Sequence, residues 1–290
     1  MGTAAQHAIG VAGDLVEDVI VWTAGPIAYG TDTPSRIFHV RGGSAANVAY
    51  AVAAQGGSSR LITRVGVDAV GDRLVADLER AGVEVRAQRG ETSDTIVILI
   101  DDTGERTMMP DRTSAKSIEP IDPEWLAGLD WLHLPLYGFE TDGEARVFTA
   151  LCRAATAAGI PLSVDVSSVG LIELIGAERV HDLLAELAPR IVFANEGEAE
   201  ALGFVEGQAR PGCAWVLKHG QDPVVVRTST EQFAVPVPPV DGVTDTTGAG
   251  DHFAAGFLRA LVDGRPLRDA AESGIAAARQ VLHTPGAHAS

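Results

Sequence analysis

The sequence predicts an α/β fold, in which a central, mainly parallel sheet carries helices on both faces. Short strand-like runs alternate with longer helix-like runs along most of the chain, which is typical of βαβ units. Hydrophobic residues make up 46% and charged residues 21% of the 290 positions, enough apolar material for a full core. Two stretches, residues 19–40 and 95–109, break this rhythm with strand-like runs, and they predict a small additional β-sheet.

The strand-like elements are short apolar runs bounded by glycine, proline or polar residues. They cover residues 8–11, 60–65, 131–134, 162–166, 191–193 and 214–217. Several helix-like elements end at a glycine, as residues 44–55 do at Gly56 and residues 70–81 do at Gly82. The other helices are predicted over residues 143–158, 177–187, 248–262 and 267–282. We expect one domain over residues 1–290.

Charge and composition exclude several classes of partner. Lys and Arg total 22 against 39 Asp and Glu, a net charge of −17, which is unsuited to binding nucleic acid or an anionic membrane surface. The two cysteines, Cys152 and Cys213, predict reduced thiols rather than a disulfide framework. No apolar run approaches the ~18 residues of a membrane span, and the N-terminus lacks the pattern of a secretory leader. We therefore expect a cytoplasmic protein, which would need local features such as helix N-termini or a metal to bind small anions.

The strongest local signal is the run DTTGAGD at residues 245–251, which is followed by an apolar helix. Its glycines let the backbone curl and expose successive N–H groups, and the positive end of the helix dipole adds to them, which favours anion binding. Asp251 would be repelled by a bound phosphate unless it had another task, and removing a proton from an attacking hydroxyl is such a task. The alternative is an ordinary glycine turn with an acidic first helical turn.

A second signal is the run RGGSAAN at residues 41–47. Gly42 and Gly43 precede a helix and would let a ligand approach the backbone closely. Asn47 offers a donor and an acceptor from the first helical turn, which suits pairing with hydroxyl groups. The alternative is a strand-to-helix turn that needs glycine for its geometry alone.

Together these motifs resemble the ribokinase-like (PfkB-type) family of carbohydrate and nucleoside kinases. Residues 42–49 (GGSAANVA) and 245–257 (DTTGAGDHFAAGF) look like its two signatures, and further motifs match in order at residues 65–71 (VGVDAVG), 195–200 (NEGEAE), 218–220 (KHG) and 285–287 (PGA). The resemblance covers nearly the whole chain. It implies a three-layer α/β/α ribokinase-like fold with a small β-lid, formed by residues 19–40 and 95–109, that closes over the substrate and can also form a homodimer interface.

The resemblance implies a phosphotransferase with an alcohol acceptor, which moves the γ-phosphoryl group of MgATP to a sugar hydroxyl. Asp251 would be the general base, and the backbone N–H groups of Gly248, Ala249 and Gly250 would bind the transferring phosphoryl group. The residues implied to bind the acceptor are Asp14, Asp18, Gly42, Gly43, Asn47 and Arg112. Those implied to bind the nucleotide are Asn195, Lys218, Gly220, Thr246, Gly248 and Gly250.

Two metal sites also follow from the resemblance. Glu198 would organise Mg²⁺ through water, together with Asn195. A monovalent cation, usually potassium, would be held by Asp245, Thr247, Val281 and Gly286. The alternative for Asn195 and Glu198 is a helix cap with an acidic first turn, and the alternative for Lys218 is a surface lysine at a strand end.

Some positions leave the interpretation open. His252 follows Asp251 where the family usually has a small residue, and we expect it to pack outward from the helix start rather than to tune Asp251. His133 and Tyr137 would line the sugar pocket or serve the structure alone.

A nucleoside kinase of the adenosine, inosine or pseudouridine type is the alternative within the family, because Trp22, Tyr29 and Phe38 of the predicted lid could stack on a base. Outside the family's activity, a non-catalytic sugar- or nucleotide-binding regulator would be expected to lose Asp251 or one of the glycines. A dinucleotide-dependent dehydrogenase would carry Gly-x-Gly-x-x-Gly after its first strand, where this chain has VAGDL at residues 11–15.

Overall fold

The computed structural model describes residues 7–101, 105–112, 118–204, 209–243 and 245–283. Within these ranges the strands form one large sheet and one small sheet. The strands are β1 Ala8–Ala12, β2 Val16–Thr23, β3 Ser35–Gly42, β4 Ser58–Gly66, β5 Val83–Gly90, β6 Thr95–Ile100, β7 Arg106–Asp111, β8 Trp131–Pro135, β9 Leu162–Asp165, β10 Ile191–Asn195, β11 Ala214–His219, β12 Asp222–Arg227 and β13 Gln232–Val235. The helices are α1 Ser44–Ala54, α2 Ala69–Arg80, α3 Asp142–Ala157, α4 Val169–Ile175, α5 Ala177–Leu187, α6 Glu196–Ala201, α7 Ala249–Val262 and α8 Leu267–Arg279.

The large sheet has the strand order β13-β12-β11-β10-β9-β8-β1-β4-β5. All strands from β11 to β5 in this order pair in parallel, and β12 and β13 add an antiparallel edge. The predicted α/β fold with a mainly parallel sheet is therefore confirmed. The chain leaves β1 toward β4 on one side and returns through β8 on the other. Ligands of open α/β sheets bind beyond the carboxyl ends of the strands at such a switch point. Here Gly13 and Asp14 directly follow the carboxyl end of β1.

Two apolar clusters cover the two faces of the large sheet. One contains α1, α2, α7 and α8, with Val48, Leu74 and Phe257 fully or almost fully buried. The other contains α3, α4, α5 and α6, with Phe148 and Val180 among its buried residues. Because side chains of a strand alternate between faces, neighbouring residues of β10 fall in different clusters. The result is a three-layer arrangement that holds α1 and α7 against each other on one face.

The small sheet, with the order β3-β2-β6-β7, stands apart from the large one. Strands β2 and β6 pair in parallel, while β3 and β7 pair antiparallel with them on either side. Its strands lie at Val16–Thr23, Ser35–Gly42, Thr95–Ile100 and Arg106–Asp111, against the predicted ranges of 19–40 and 95–109. Because β3 ends at Gly42, this sheet leads directly into the glycine motif before α1.

Elements that the sequence reading left out are short or lie at an edge. Strand β5 closes one edge of the large sheet, and the hairpin β12–β13 closes the other, so these strands alternate polar and apolar residues rather than forming apolar runs. Helices α4 and α6 are only 7 and 6 residues long, too short to show a clear helical period. Among the described residues, no helix combines the length and the apolar character that crossing a bilayer requires.

Candidate active site

The glycine run before α7 makes a sharp turn into the helix. Gly248 is the N-cap residue and has φ 73°, a left-handed conformation in which a side chain would be strained. The N–H of Ala249 donates to the carbonyl oxygen of Thr246 at 3.2 Å, and a Cβ added at Gly250 would lie 3.3 Å from Nζ of Lys218. The turn therefore brings the positive end of the helix dipole and a lysine ammonium group to the same point.

Asp251 lies in the first turn of α7, and its carboxylate is held by two residues of α1. Ser44 Oγ donates to Oδ1 at 2.7 Å, and Asn47 Nδ2 donates to Oδ2 at 3.0 Å. Burial raises the pKa of Asp251 to about 7, although both hydrogen bonds act in the opposite direction. A carboxylate with a pKa near neutrality is suited to accept a proton from a hydroxyl group.

Arg41 completes this arrangement, and the sequence reading gave it no role. It is 6% exposed and donates from Nη1 to Oδ1 of Asn47 at 2.9 Å, while its guanidinium lies 4.6 Å from the centroid of the Tyr50 ring. Burial lowers its pKa to about 10, so it stays charged at neutral pH. Both ends of the Asn47 amide therefore contact protein groups, Arg41 on one side and Asp251 on the other. Asn47 therefore holds the Asp251 carboxylate, a contact that the sequence did not indicate, and its predicted role toward acceptor hydroxyls stays a prediction.

Gly42 and Gly43 pack closely against two aspartates. A Cβ added at Gly42 would lie 2.3 Å from the carboxyl group of Asp18, and one added at Gly43 would lie 2.6 Å from the carbonyl oxygen of Asp14. Asp14 Oδ1 also accepts the N–H of Ala45 at 3.1 Å. The glycines therefore keep this crevice open, and the two carboxyl groups come together beside α1.

Asp18 has an unsatisfied oxygen. Burial and the neighbouring charge of Asp14 raise its pKa to about 7. Its Oδ1 is buried and has no hydrogen-bond partner among the described residues. A buried carboxyl oxygen without a partner is costly, and a ligand hydroxyl would satisfy it.

Arg112 lies at the other side of the same crevice. Its guanidinium nitrogens are 4.0 Å from Oδ2 of Asp14 and 3.7 Å from Oε2 of Glu140, and it stacks 4.6 Å from the centroid of the Tyr137 ring. The Arg112 side chain is 19% exposed, so most of it is shielded from solvent. Asp14, Asp18 and Arg112 thus surround a polar crevice beyond the carboxyl end of β1.

The predicted nucleotide side is built from the carboxyl ends of three neighbouring strands, β9, β10 and β11. Lys218 Nζ forms a 2.7 Å ion pair with Oδ2 of Asp165, a residue that the sequence reading missed. Burial lowers the pKa of Lys218, but the charges of Asp165 and Glu198 outweigh burial and raise it above its ordinary value. Lys218 is therefore an internal cation beside Gly250 and not a surface lysine. Gly220, with φ 63°, turns the chain from β11 into β12.

Asn195 and Glu198 form a capping box at the start of α6. Asn195 Oδ1 accepts the N–H of Glu198 at 2.9 Å, and Glu198 Oε2 accepts the N–H of Asn195 at 2.8 Å. Glu198 is 3% exposed, and burial followed by the charge of Asp165 raises its pKa to about 7. Carboxylate oxygens are suitable partners for Mg²⁺ and its bound water. In the described part of the chain, no group of three or more His, Cys, Asp or Glu residues forms a ready metal cluster, so the nucleotide phosphates would have to supply further ligands.

The residues predicted for a monovalent cation meet an arginine instead. Arg106 Nη2 lies 2.6 Å from Oδ1 of Asp245, and Arg106 Nη1 also contacts the hydroxyl of Thr247. The N–H of Thr247 donates to the same Asp245 oxygen at 2.8 Å. Val281 is buried, and Gly286 lies outside the described residues.

The two histidines behave as internal groups. His252 is 2% exposed and its Nδ1 lies 3.0 Å from the carbonyl oxygen of Gly248, so the expectation that it packs outward is wrong. Burial lowers the pKa of His252, and it therefore favours the neutral imidazole beside Asp251. His133 is fully buried, contacts Ser163 Oγ through Nδ1 at 2.9 Å and packs edge-on against Phe193, so it belongs to the core.

Comparison with known proteins identifies the family of the chain. The family model described as pfkB family carbohydrate kinase matches residues 9–290. An ATP-dependent ribose-1-phosphate kinase from Halopiger xanaduensis is 35% identical over 233 residues, 77% of this chain and 74% of the relative. A fructokinase from Klebsiella pneumoniae is 30% identical over 87% of this chain and 84% of its own length, and a cytidine kinase from Thermococcus kodakarensis is 30% identical over 83% and 87%.

Solved structures share the fold across almost the entire chain. The adenosine kinase from Sinorhizobium meliloti superposes with a TM-score of 0.84 at 22% identity, covering 98% of this chain and 96% of that one. A ribokinase from Thermotoga maritima superposes with a TM-score of 0.76 at 22% identity, covering 97% and 94%. Because the family model spans the two glycine motifs, the crevice between them and the strands on the nucleotide side, the chain belongs to the pfkB family of carbohydrate kinases.

Proposed function

We propose that the protein is an ATP-dependent sugar kinase that transfers the γ-phosphoryl group of MgATP to a sugar hydroxyl. The observation that carries the proposal is the buried carboxylate of Asp251, which stands at the N-terminus of α7 between the two glycine motifs with its pKa near 7. A hydroxyl held beside it would lose its proton to a carboxylate oxygen. The hydroxyl oxygen would form the new bond to the γ-phosphorus as the bond from phosphorus to the β-phosphate oxygen breaks, which releases ADP.

In this proposal the helix N-terminus stabilises the transferring group. The backbone around Gly248, Ala249 and Gly250 offers N–H groups and the positive end of the α7 dipole to the charge that develops on the phosphoryl oxygens. Lys218 adds a fixed positive charge beside Gly250. These groups are preorganised by the fold, so they need little rearrangement when charge develops.

The nucleotide would lie over the ends of β10 and β11. Kinases of this family use ATP together with Mg²⁺, which neutralises phosphate charge when it is bound. Glu198 would hold Mg²⁺ through water, and the proposed contacts to the nucleotide itself are Asn195, Lys218, Gly220 and Thr246. Potassium has no step in this proposal, because Asp245 and Thr247 contact Arg106.

The acceptor would occupy the crevice of Asp14, Asp18 and Arg112, with Gly42 and Gly43 as its floor. The unsatisfied Oδ1 of Asp18 is a natural acceptor for a sugar hydroxyl, because a bound hydroxyl removes the cost of that buried oxygen. Asn47 would act on the acceptor mainly through Asp251. A nucleoside acceptor is the alternative, and the exposed edges of Trp22 and Phe38 on the small sheet are the rings that could serve it.

The small sheet would act as a lid and as a dimer interface. On the face opposite Asp18, Val19 pairs with Val97, Val21 pairs with Leu99 and Ile37, and Met109 pairs with Val97. Ile37 is 58% and Met109 46% exposed. A contiguous apolar patch of this kind fits a second copy of the chain, and we expect Val21→Glu to yield monomers in sedimentation analysis. We place this kinase in the cytoplasm, where ATP is supplied.

An ADP-release assay with MgATP and a panel of sugars, sugar phosphates, sugar acids and nucleosides tests the proposal. Turnover on a sugar that disappears in Asp251→Asn supports it, and turnover on a nucleoside alone selects the alternative. Bound ATP without turnover on any acceptor of the panel would contradict the kinase assignment for those acceptor classes. Thr23→Ser, a change on the small sheet away from the crevice, serves as the matched control.

A further inference from the structure

Arg106 joins the small sheet to the glycine run before α7. It is the first residue of β7, the outer strand of that sheet, and it contacts Asp245 and Thr247 across 139 and 141 positions of sequence. The ion pair is well formed, with 2.6 Å between Nη2 of Arg106 and Oδ1 of Asp245. The Asp245 side chain is 9% exposed and that of Arg106 is 36% exposed, so solvent screens this pair less than an ordinary surface pair.

This contact conflicts with the monovalent cation that the family implies. Potassium would need the Asp245 carboxylate and oxygens around Thr247, yet Oδ1 of Asp245 already accepts hydrogen bonds from Arg106 and from the Thr247 N–H. The Thr247 hydroxyl is in contact with the same guanidinium. A second cation at these oxygens would face the arginine charge at close range, where repulsion between like charges is strong. The side-chain oxygens of Asp245 and Thr247, as they are arranged here, therefore do not fit a bound potassium ion.

We propose that the guanidinium of Arg106 supplies, from the chain itself, the positive charge that a monovalent cation would otherwise bring to the glycine run. The charge acts on the segment from Asp245 to Gly248, and so it fixes the turn that aims the α7 N-terminus at the phosphoryl group. Because Arg106 is held by β7, correct placement of the turn also depends on the small sheet. The inference rests on the proposed kinase activity for its kinetic consequence, and on the ion pair alone for its consequence for stability.

The test compares the wild type with Arg106→Gln in potassium chloride and in tetramethylammonium chloride at equal ionic strength. We expect the wild type to show the same melting temperature and the same kcat in both salts. Arg106→Gln should melt at a lower temperature and lose about tenfold in kcat in tetramethylammonium, as expected when one charge-assisted contact is removed. Potassium should restore part of both losses, because the vacated oxygens of Asp245 and Thr247 can then bind it.

Arg36→Gln is the matched control, since it removes one positive charge from β3 of the same sheet, where Arg36 lies over the Phe38 ring. It should leave the salt response unchanged. A wild type that needs potassium for turnover or melts at a higher temperature with it overturns the proposal, and so does an Arg106→Gln protein that potassium does not affect. Arg106→Lys, which keeps the charge, should remain indifferent to potassium and replaces Arg106→Gln if that variant does not fold. The melting temperatures need no turnover, so failure of the kinase assignment is distinguishable from failure of this inference.

Discussion

The guanidinium of Arg41 donates a 2.9 Å hydrogen bond to Oδ1 of Asn47, and this contact decides which side of the Asn47 amide meets Asp251. With Oδ1 engaged by the arginine, the NH₂ group is turned toward the carboxylate and donates to it at 3.0 Å. If the amide were flipped, its oxygen would oppose the carboxylate. The buried arginine is thus a positioning residue for the proposed base.

Removing Arg41 should therefore shift the pH dependence of the reaction. In Arg41→Met, Asp251 loses a nearby positive charge, and Arg41 no longer fixes the Asn47 amide that donates to Asp251. The pKa of Asp251 should therefore rise above about 7. Because the base must be deprotonated to act, the acidic limb of kcat/KM should move to higher pH, and activity should recover partly at alkaline pH. Arg36→Met is the control, and a pH profile that only drops in height would assign Arg41 a purely structural role.

Asp251→Asn should bind nucleotide and fail in the chemical step. The variant keeps the size of the side chain but cannot accept the acceptor's proton, so kcat should fall by about 10²–10⁴-fold. Calorimetry should show ATP affinity close to that of the wild type. Turnover near the wild-type level would remove Asp251 from its role as the base.

The protonation of Asp18 makes a distinct prediction about stability. Burial raises its pKa to about 7 from an ordinary value of 3.8, so between these pH values the folded state binds more protons than the unfolded state. The free energy of unfolding contributed by this group therefore falls as pH rises through this range. Asp18→Asn should melt at a higher temperature than the wild type at pH 8, and the difference should shrink toward pH 4. The opposite trend would show that the carboxylate is stabilised in its charged form.

Gly43→Ala should damage the acceptor crevice. Its φ of 98° is unfavourable for alanine, and the added Cβ would lie 2.6 Å from the carbonyl oxygen of Asp14. Gly56→Ala is the matched control, because Gly56 has φ 77° but nothing within 4 Å of an added Cβ. Chemical denaturation should show a loss of about 1 kcal/mol for Gly56→Ala and clearly more for Gly43→Ala. Only Gly43→Ala should also raise the KM for the acceptor.

Lys218 and Asp165 should behave as a coupled pair. Lys218→Met leaves Asp165 and Glu198 buried without their cation, which costs about 3–5 kcal/mol of stability by the usual penalty for an unpaired buried charge. Adding Asp165→Asn should recover part of the stability without recovering ATP affinity. If the two single losses simply add in the double variant, the ion pair is not the reason for the effect.

Local chemistry explains which features could be predicted from the sequence. The glycines before α1 and α7 need particular backbone conformations, so their positions indicated both motifs and the helices that follow them. The parallel sheet followed from the regular alternation of strand and helix. Asp165 and Arg106 were missed because their partners lie 53 and 139 positions away, and no local pattern reports such a contact. The exposure of His252 was predicted wrongly, because the sequence at a helix start does not reveal which face of the helix packs against the rest of the fold.

The hydrogen bond between Ser44 and Asp251 spans 207 positions of sequence. Ser44 of the first glycine motif is therefore synthesised 207 residues before the carboxylate that it must hold. A nascent chain can therefore form most of its parallel sheet and still lack a complete active site until α7 docks on α1. Activity would then appear only after α7 has docked, and a chain released before α7 is made would be inactive however well its sheet had folded.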